Sequence, residues 1–144
     1  MKNLTVQKIL EVTNGELLNG KKDSVCKNFS KDTRIIQKGD IYIGIKGEKF
    51  DGSLFWKEAL ENGAECVIVS DVTISKEEIK QYENKTIIKV DDTLNALYEI
   101  AKAKMDLYNI PVIAITGSVG KTSTKDIIAN VVSQKYKTLK TMRK

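Results

Sequence analysis

The sequence contains no histidine. No histidine general base, histidine triad or histidine metal site can therefore be assembled from these residues. Its two cysteines, Cys26 and Cys66, lie far apart and neither belongs to a C-x-x-C pair, which excludes a structural zinc site and a disulfide-stapled scaffold. One proline in 144 residues, with 41% hydrophobic and 30% charged residues, is the composition of a folded chain and not of a disordered one. No apolar run approaches the roughly 18 residues of a membrane span, and Met1 to Lys8 lacks the apolar core of a signal peptide. A cytoplasmic setting without membrane insertion is the expectation.

Charge is also less one-sided than it looks. The 24 basic residues exceed the 19 acidic ones only because Lys135 to Lys144 hold five bases and no acid; without them the balance is 19 against 19. A basic tail without aromatic interleaving is a poor nucleic-acid signal, so no nucleic-acid partner is expected.

Hydrophobic period organises the rest. Thr5 reads as the N-cap of a helix with Val6, Ile9, Leu10 and Thr13 on one face, stopped at Asn14-Gly15. Ile41, Ile43 and Ile45 alternate with Tyr42 and Gly44 as in a half-buried strand. A helix is expected from about Ser53 to Asn62, and Cys66-Val67-Ile68-Val69 reads as a strand buried on both faces. Ser75 caps a short helix through Ile79, and Thr86 to Val90 is another strand. This alternation predicts an α/β fold. Asp91-Asp92-Thr93 opens the clearest helix, with Leu94, Leu97, Tyr98, Ala101, Met105 and Tyr108 as its apolar stripe and Asn109 and Pro111 as its stop. Pro111 to Thr116 is expected to be a short buried strand, followed by a glycine loop, a helix through Ile127, Ile128, Val131 and Val132, and the start of a strand at Tyr136 to Leu139. The domain expectation is 1–90, a connecting helix 91–110, and the opening of a second domain over 111–144.

The strongest chemical signal is Gly117-Ser118-Val119-Gly120-Lys121-Thr122-Ser123, between an apolar strand and a helix. Such a loop folds backbone N–H groups around phosphate oxygens, and the helix start adds positive potential. Lys121 reaches the outer phosphates, and the Thr122 hydroxyl can ligate Mg²⁺. These residues are expected to bind a nucleotide phosphate, with Thr122 as the metal ligand. The match is to a shortened motif, because the first glycine of the full G-x-x-x-x-G-K-[ST] pattern is replaced by Ile115. A second constellation, Asp32-Thr33-Arg34 followed by Gly39-Asp40 and then Lys46-Gly47-Glu48-Lys49-Phe50-Asp51-Gly52, is by itself a polar loop, a strand and a glycine-containing loop. Spacing names no ligand for it.

Taken in order, Asp32-Thr33-Arg34, Gly39-Asp40-Ile41-Tyr42-Ile43, Lys46-Gly47, Asp51-Gly52, Asn95-Ala96-Leu97 and Pro111 to Asp126 resemble successive segments of the Mur ligase family, the ATP-dependent amide-bond ligases of peptidoglycan precursor synthesis. The resemblance runs over nearly the whole chain. Within the family, the loop and the Lys46 to Gly52 stretch are most similar to the branch that adds D-alanyl-D-alanine to UDP-N-acetylmuramoyl-tripeptide. The branch acting one step earlier shares some of these features. One departure is Val119, where many members carry Asn.

The resemblance implies a small N-terminal α/β domain for the uridine diphosphate substrate, followed by the opening strand, phosphate loop and helix of the central ATPase domain. It implies substrate contacts from Thr33, Arg34, Gly47, Glu48 and Lys49, cofactors ATP and Mg²⁺ with ATP as the nucleotide at the loop and Lys121 as the catalytic cation, and an acyl-phosphate route to the amide. By this reading the chain alone is inactive, because the remaining ATPase and closing domains are missing. Arg34 has an alternative as a structural partner of Asp32 or Asp40, and the whole chain has one as a non-catalytic phosphate-loop module.

Overall fold

Four consecutive apolar residues flanked by turns, Cys66–Val69, lie at the middle of a five-stranded sheet, and all four are buried. The computed structural model describes residues 4–47, 50–108 and 110–142. The chain divides into two compact units, Met1–Asn109 and Ile110–Lys144.

In the first unit, β1 (Leu4–Thr5) leads into helix α1 (Val6–Thr13), followed by β2 (Glu16–Asn19), β3 (Val25–Cys26) and β4 (Phe29–Ser30). A 3₁₀ turn at Thr33–Ile35 precedes β5 (Ile41–Ile43), and a second at Gly52–Phe55 runs into α2 (Trp56–Glu61). Then come β6 (Cys66–Val69), α3 (Lys76–Gln81), β7 (Thr86–Lys89) and α4 (Thr93–Asp106). The large sheet has the order β2-β7-β6-β5-β4. Strands β4 to β7 are parallel, while β2 pairs antiparallel with β7 at one edge. A separate two-stranded sheet pairs β1 with β3.

Helices cover both faces of the large sheet. Ile41, Ile43, Cys66, Ile68 and Ile88 pack on one side against Val6 and Ile9 of α1 and Ala96 and Ile100 of α4. Tyr42, Val67, Val69 and Ile87 pack on the other against Trp56, Ala59 and Leu60 of α2, with Ile79 and Tyr82 at the margin. Each fully buried Ile or Val contributes about 1.5–3 kcal/mol of transfer free energy, so this double core dominates the unit's stability. The α/β expectation holds.

Local start and stop signals were read correctly. The Thr5 side chain accepts from Lys8 N–H at 3.2 Å, and Asn14 ends α1 in the left-handed region at φ 50°. Ser75 forms a capping box with Glu78.

The packing differs from expectation in several places. Residues Ile41, Tyr42 and Ile43 are all buried, because β5 lies between two parallel neighbours under helices on both sides; Ile45 has already left the ladder. The helix expected from Ser53 begins as a 3₁₀ turn and becomes α-helical only at Trp56. The buried face of α4 is Thr93, Ala96 and Ile100, whereas Leu94, Tyr98 and Met105 are exposed. Small Ala96 allows α4 to approach the core closely, and the Asp92 cap, which accepts from Leu94 and Asn95 N–H, sets the rotation at which Thr93 faces inward. Helix α4 is thereby part of the first unit's core.

In the second unit, Pro111 to Thr116 forms no strand and is mostly exposed, as is Tyr136 to Leu139. Strands need hydrogen-bonding neighbours, and among the described residues of this unit neither segment has one. Helix α5 (Lys121–Ser133) forms as expected, but only Ala129 is buried, with Ile127 and Val131 exposed.

Candidate functional site

The glycine loop enters α5 through Gly120, whose φ of 80° lies in the left-handed region that a side chain disfavours. A Cβ built at Gly120 meets nothing within 4 Å, so the loop leaves open space where a phosphate oxygen would approach. No side chain caps this helix start. Uncapped first-turn N–H groups and the positive end of the helix dipole then face an incoming anion. The Lys121 ammonium folds back over the loop and donates to the Gly117 carbonyl. It thus holds positive charge at the loop's mouth. Gly117, Ser118 and Val119 form the exposed rim, Val119 being 90% exposed, and Ser123 is exposed on the first turn of α5.

Thr122 lines a cleft of about 420 Å³ with Ile113, Ala114, Ile115, Lys121 and Lys125. Lys125 is a second cation that the motif does not single out, although its spacing of four from Lys121 places it on the same helix face. Its ammonium donates to the Thr141 carbonyl at 2.8 Å and lies 3.8 Å from Asp126, which also accepts from Lys140 at 2.9 Å. These residues fit a nucleotide phosphate. For Mg²⁺ they offer the Thr122 hydroxyl, and among the described residues no group of three or more His, Cys, Asp or Glu could hold a metal ion.

The other candidate residues follow β4 and β5 at the C-terminal edge of the parallel strands, where open α/β sheets place their ligands. Asp32 caps its 3₁₀ turn by accepting from Arg34 N–H at 3.0 Å. Its carboxylate also takes a two-pronged contact from the Arg34 guanidinium, Nε to Oδ1 at 2.8 Å and Nη2 to Oδ2 at 2.6 Å. Those bonds from Arg34 lower the Asp32 pKa to about 2, and Arg34 is raised in turn by Asp32. Asp32 is therefore the partner found for Arg34, yet the arginine side chain remains 83% exposed and can still meet a ligand. The Thr33 hydroxyl donates to Glu58 Oε1 at 2.6 Å, and Asn62 Nδ2 donates to the Thr33 carbonyl at 3.0 Å. Both of these α2-side partners were missed in the sequence, because nothing in their spacing relates them to Thr33.

Gly47 N–H donates to the Phe50 carbonyl at 2.9 Å, closing a tight turn whose flanks, Lys46 and Asp51, form an antiparallel bridge. Glu48 and Lys49 lie outside the described residues. The base of this turn is held by buried groups. Tyr42 donates its hydroxyl to the Gly52 carbonyl at 2.7 Å, and fully buried Ser53 donates to the Gly44 carbonyl and accepts from Ser70 N–H, both at 3.0 Å. Burial raises the Tyr42 phenol to about 12. Gly44 and Gly52 permit this crossing, since a Cβ at either would come within 2.6 Å of backbone.

Residues 27–105 match the model described as Mur ligase family, catalytic domain, and residues 115–144 match the Mur ligase middle domain. The UDP-N-acetylmuramoyl-tripeptide--D-alanyl-D-alanine ligase of Bacillus subtilis (strain 168) is 38% identical over 138 residues, covering 95% of this chain and 29% of the relative. The UDP-N-acetylmuramoyl-L-alanyl-D-glutamate--2,6-diaminopimelate ligase of Clostridium perfringens (strain 13 / Type A) is 32% identical over 136 residues, covering 91% of this chain and 26% of that protein. Among solved structures, the MurF ligase of Thermotoga maritima in complex with ADP superposes with a TM-score of 0.64 at 31% identity, covering 76% of this chain and 24% of that one. The chain thus spans between a quarter and a third of the Bacillus relative's length. With one family model covering more than half of its residues and a second continuing through the phosphate loop, the chain belongs to the Mur ligase family.

Proposed function

We propose that this chain carries the substrate-binding domain and the phosphate-loop entrance of the ATP-dependent ligase that joins D-alanyl-D-alanine to UDP-N-acetylmuramoyl-tripeptide. The observation that carries this reading is the phosphate loop: an open left-handed Gly120, an uncapped start to α5 and Lys121 folded across Gly117. In this reading residues 1–90 with the helix over 91–110 hold the uridine diphosphate substrate through Thr33, Arg34 and the Gly47-Glu48-Lys49 turn. Residues 111–144 open the ATPase domain.

Bound ATP would supply an activated γ-phosphoryl group, and a Mg²⁺ ion held by the Thr122 hydroxyl would supply charge neutralisation there. The tripeptide's terminal carboxylate would attack the γ-phosphorus, giving an acyl phosphate with ADP as the leaving group, and the dipeptide amine would then attack the acyl carbon, losing a proton and expelling phosphate to leave the amide. The protein's part is to position groups and neutralise charge, which is what phosphoryl transfer requires. Gly117 to Ser123 would hold the phosphates, Lys121 would stabilise the negative charge that develops on them, and Thr122 would present its hydroxyl to the metal. None of these steps needs histidine.

Similarity to a diaminopimelate-adding ligase at 32% identity supports a second reading, the ligase acting one step earlier. Substrate choice separates the two. The complete ligase is expected to release phosphate from ATP with UDP-N-acetylmuramoyl-tripeptide and D-alanyl-D-alanine. Release only with the UDP-linked dipeptide and a diamino acid would establish the second reading, and release with neither pair would refute both.

A further inference from the structure

Lys125 follows Lys121 by four residues on α5, and at about 3.6 residues per turn both lie on one face of the helix. Side chains on a helix lean towards its N-terminus, which carries the Lys125 ammonium back towards the phosphate loop. Both lysines line the cleft of about 420 Å³, together with Thr122 and the Ile113-Ala114-Ile115 wall.

An ammonium has three N–H donors and no acceptor. Among the described residues Lys125 spends one of them, on the Thr141 carbonyl at 2.8 Å. Asp126 Oδ1 lies 3.8 Å away, too far for a hydrogen bond, and that same oxygen accepts from Lys140 at 2.9 Å. The Lys125 side chain is only 20% exposed, so its two remaining donors point to an acceptor that enters the cleft it lines. Lys121, Lys125 and Lys140 are set against the Asp126 carboxylate, and this positive balance selects an anion. A polyphosphate suits two ammonium groups spaced along one helix face better than a carboxylate does, because its charge is spread over several phosphates. We propose that Lys125 is a second phosphate-binding cation of the nucleotide site, holding phosphate oxygens with its remaining donors while it keeps the Thr141 carbonyl. The inference rests on the reading of the glycine loop as an ATP site and adds to that site a residue that the loop motif does not contain.

Titration of ATP and of inorganic pyrophosphate into the parent chain and into Lys125→Gln, Lys125→Arg and Asp126→Asn, followed by the amide shifts of Gly120, Lys121 and Thr122, tests it. Lys125→Gln keeps a donor for the Thr141 carbonyl and loses the charge, so its melting temperature is expected to stay level. Its dissociation constants for both ligands are expected to rise roughly five- to tenfold, the loss of one charge-assisted contact. Lys125→Arg, which keeps charge and donors, should stay within about threefold of the parent. Asp126→Asn removes a competing negative charge and is expected to tighten both ligands about twofold. Lys125→Gln binding within about twofold of the parent overturns the proposal and leaves Lys125 as a pin for Thr141. A loss for ATP without a loss for pyrophosphate overturns it too, because the contact is then with the nucleoside. A parent chain whose loop amides move with neither ligand overturns the nucleotide reading of the loop, and this inference with it.

Discussion

At Arg34 and Asp32 one contact pins a turn and leaves a cation exposed. The guanidinium fixes the 3₁₀ turn through its contact with Asp32 and remains exposed enough to meet a ligand. Because the carboxyl is depressed to about 2 in the folded chain, its contribution is fully present above the unfolded value near 4 and is lost as pH falls from about 4 towards 2. The pair is exposed, so salt screens it and the effect on global stability is small. An NMR titration should find the Asp32 carboxyl protonating well below ordinary aspartates and rising part of the way back in Arg34→Ala, where the backbone N–H of residue 34 still donates to it; an unshifted Asp32 in the parent chain would contradict the contact. Lys121 differs, since among the described residues its side chain donates to the loop at Gly117. Lys121→Ala is expected to leave the melting temperature nearly unchanged while lowering turnover of the complete ligase by about a hundredfold or more, a loss of transition-state charge stabilisation. Steady-state phosphate release within threefold of the parent would remove Lys121 from the mechanism.

Among the elements, the Lys46 to Gly52 turn depends most on groups outside itself. Ser53 links the end of β5 to the end of β6, and Tyr42 reaches the same crossing from within the core. Ser53→Ala removes both contacts and strands a buried N–H, which is expected to cost about 1–3 kcal/mol in urea unfolding. Gly52→Ala should cost at least as much, because the new Cβ would lie 2.6 Å from the Ile45 carbonyl oxygen, a backbone atom that cannot swing away. If Gly52→Ala unfolds at the parent's urea midpoint, the Gly44-Ile45 backbone and the Gly52 turn do not approach in this way. By contrast the start of α3 is set locally by its capping box at Ser75 and Glu78, to which Lys57 of α2 adds a tertiary contact that lowers Glu78 to about 2. The start of that helix was legible from Ser75, although it runs on to Gln81 and not to Ile79. The Ser53 crossing was not, because its partners lie 9 and 17 positions away and follow no period.

Across the whole molecule, the first unit closes a core on both faces of its sheet, whereas the second exposes Val112, Ile113, Ile127, Val131 and Leu139. Amide exchange is expected to be slowest in β5 to β7 and in the buried turns of α4, intermediate in α5, and fast over 110–120 and 134–142, where the backbone has no strand partner among the described residues. Slow exchange at Val112 to Ile115 would show that this segment has found a strand partner. The chain by itself should bind nucleotide phosphate weakly and turn nothing over. Incubation with ATP, Mg²⁺, UDP-N-acetylmuramoyl-tripeptide and D-alanyl-D-alanine should give phosphate at the no-enzyme rate, and sustained release would mean that these residues suffice for ligation.

The sequence alone determined what local chemistry can specify. It set the caps at Thr5 and Ser75, the left-handed stop at Asn14, the fully apolar β6, the α/β alternation, and the loop from Gly117 to Thr122 leading into α5. Each of these depends on neighbours within a few residues. Tertiary structure decided which faces are buried and what the polar side chains meet. Leu94, Tyr98 and Met105 form as good an apolar stripe as the buried one, and only the docking of α4 through Thr93, Ala96 and Ile100 chose between them. It likewise gave Thr33 its Glu58 partner, left Thr93 without one, and withheld strand pairing from Pro111 to Thr116. A strand or a buried polar group acquires its energy from partners far along the chain, and no local pattern encodes who those partners are.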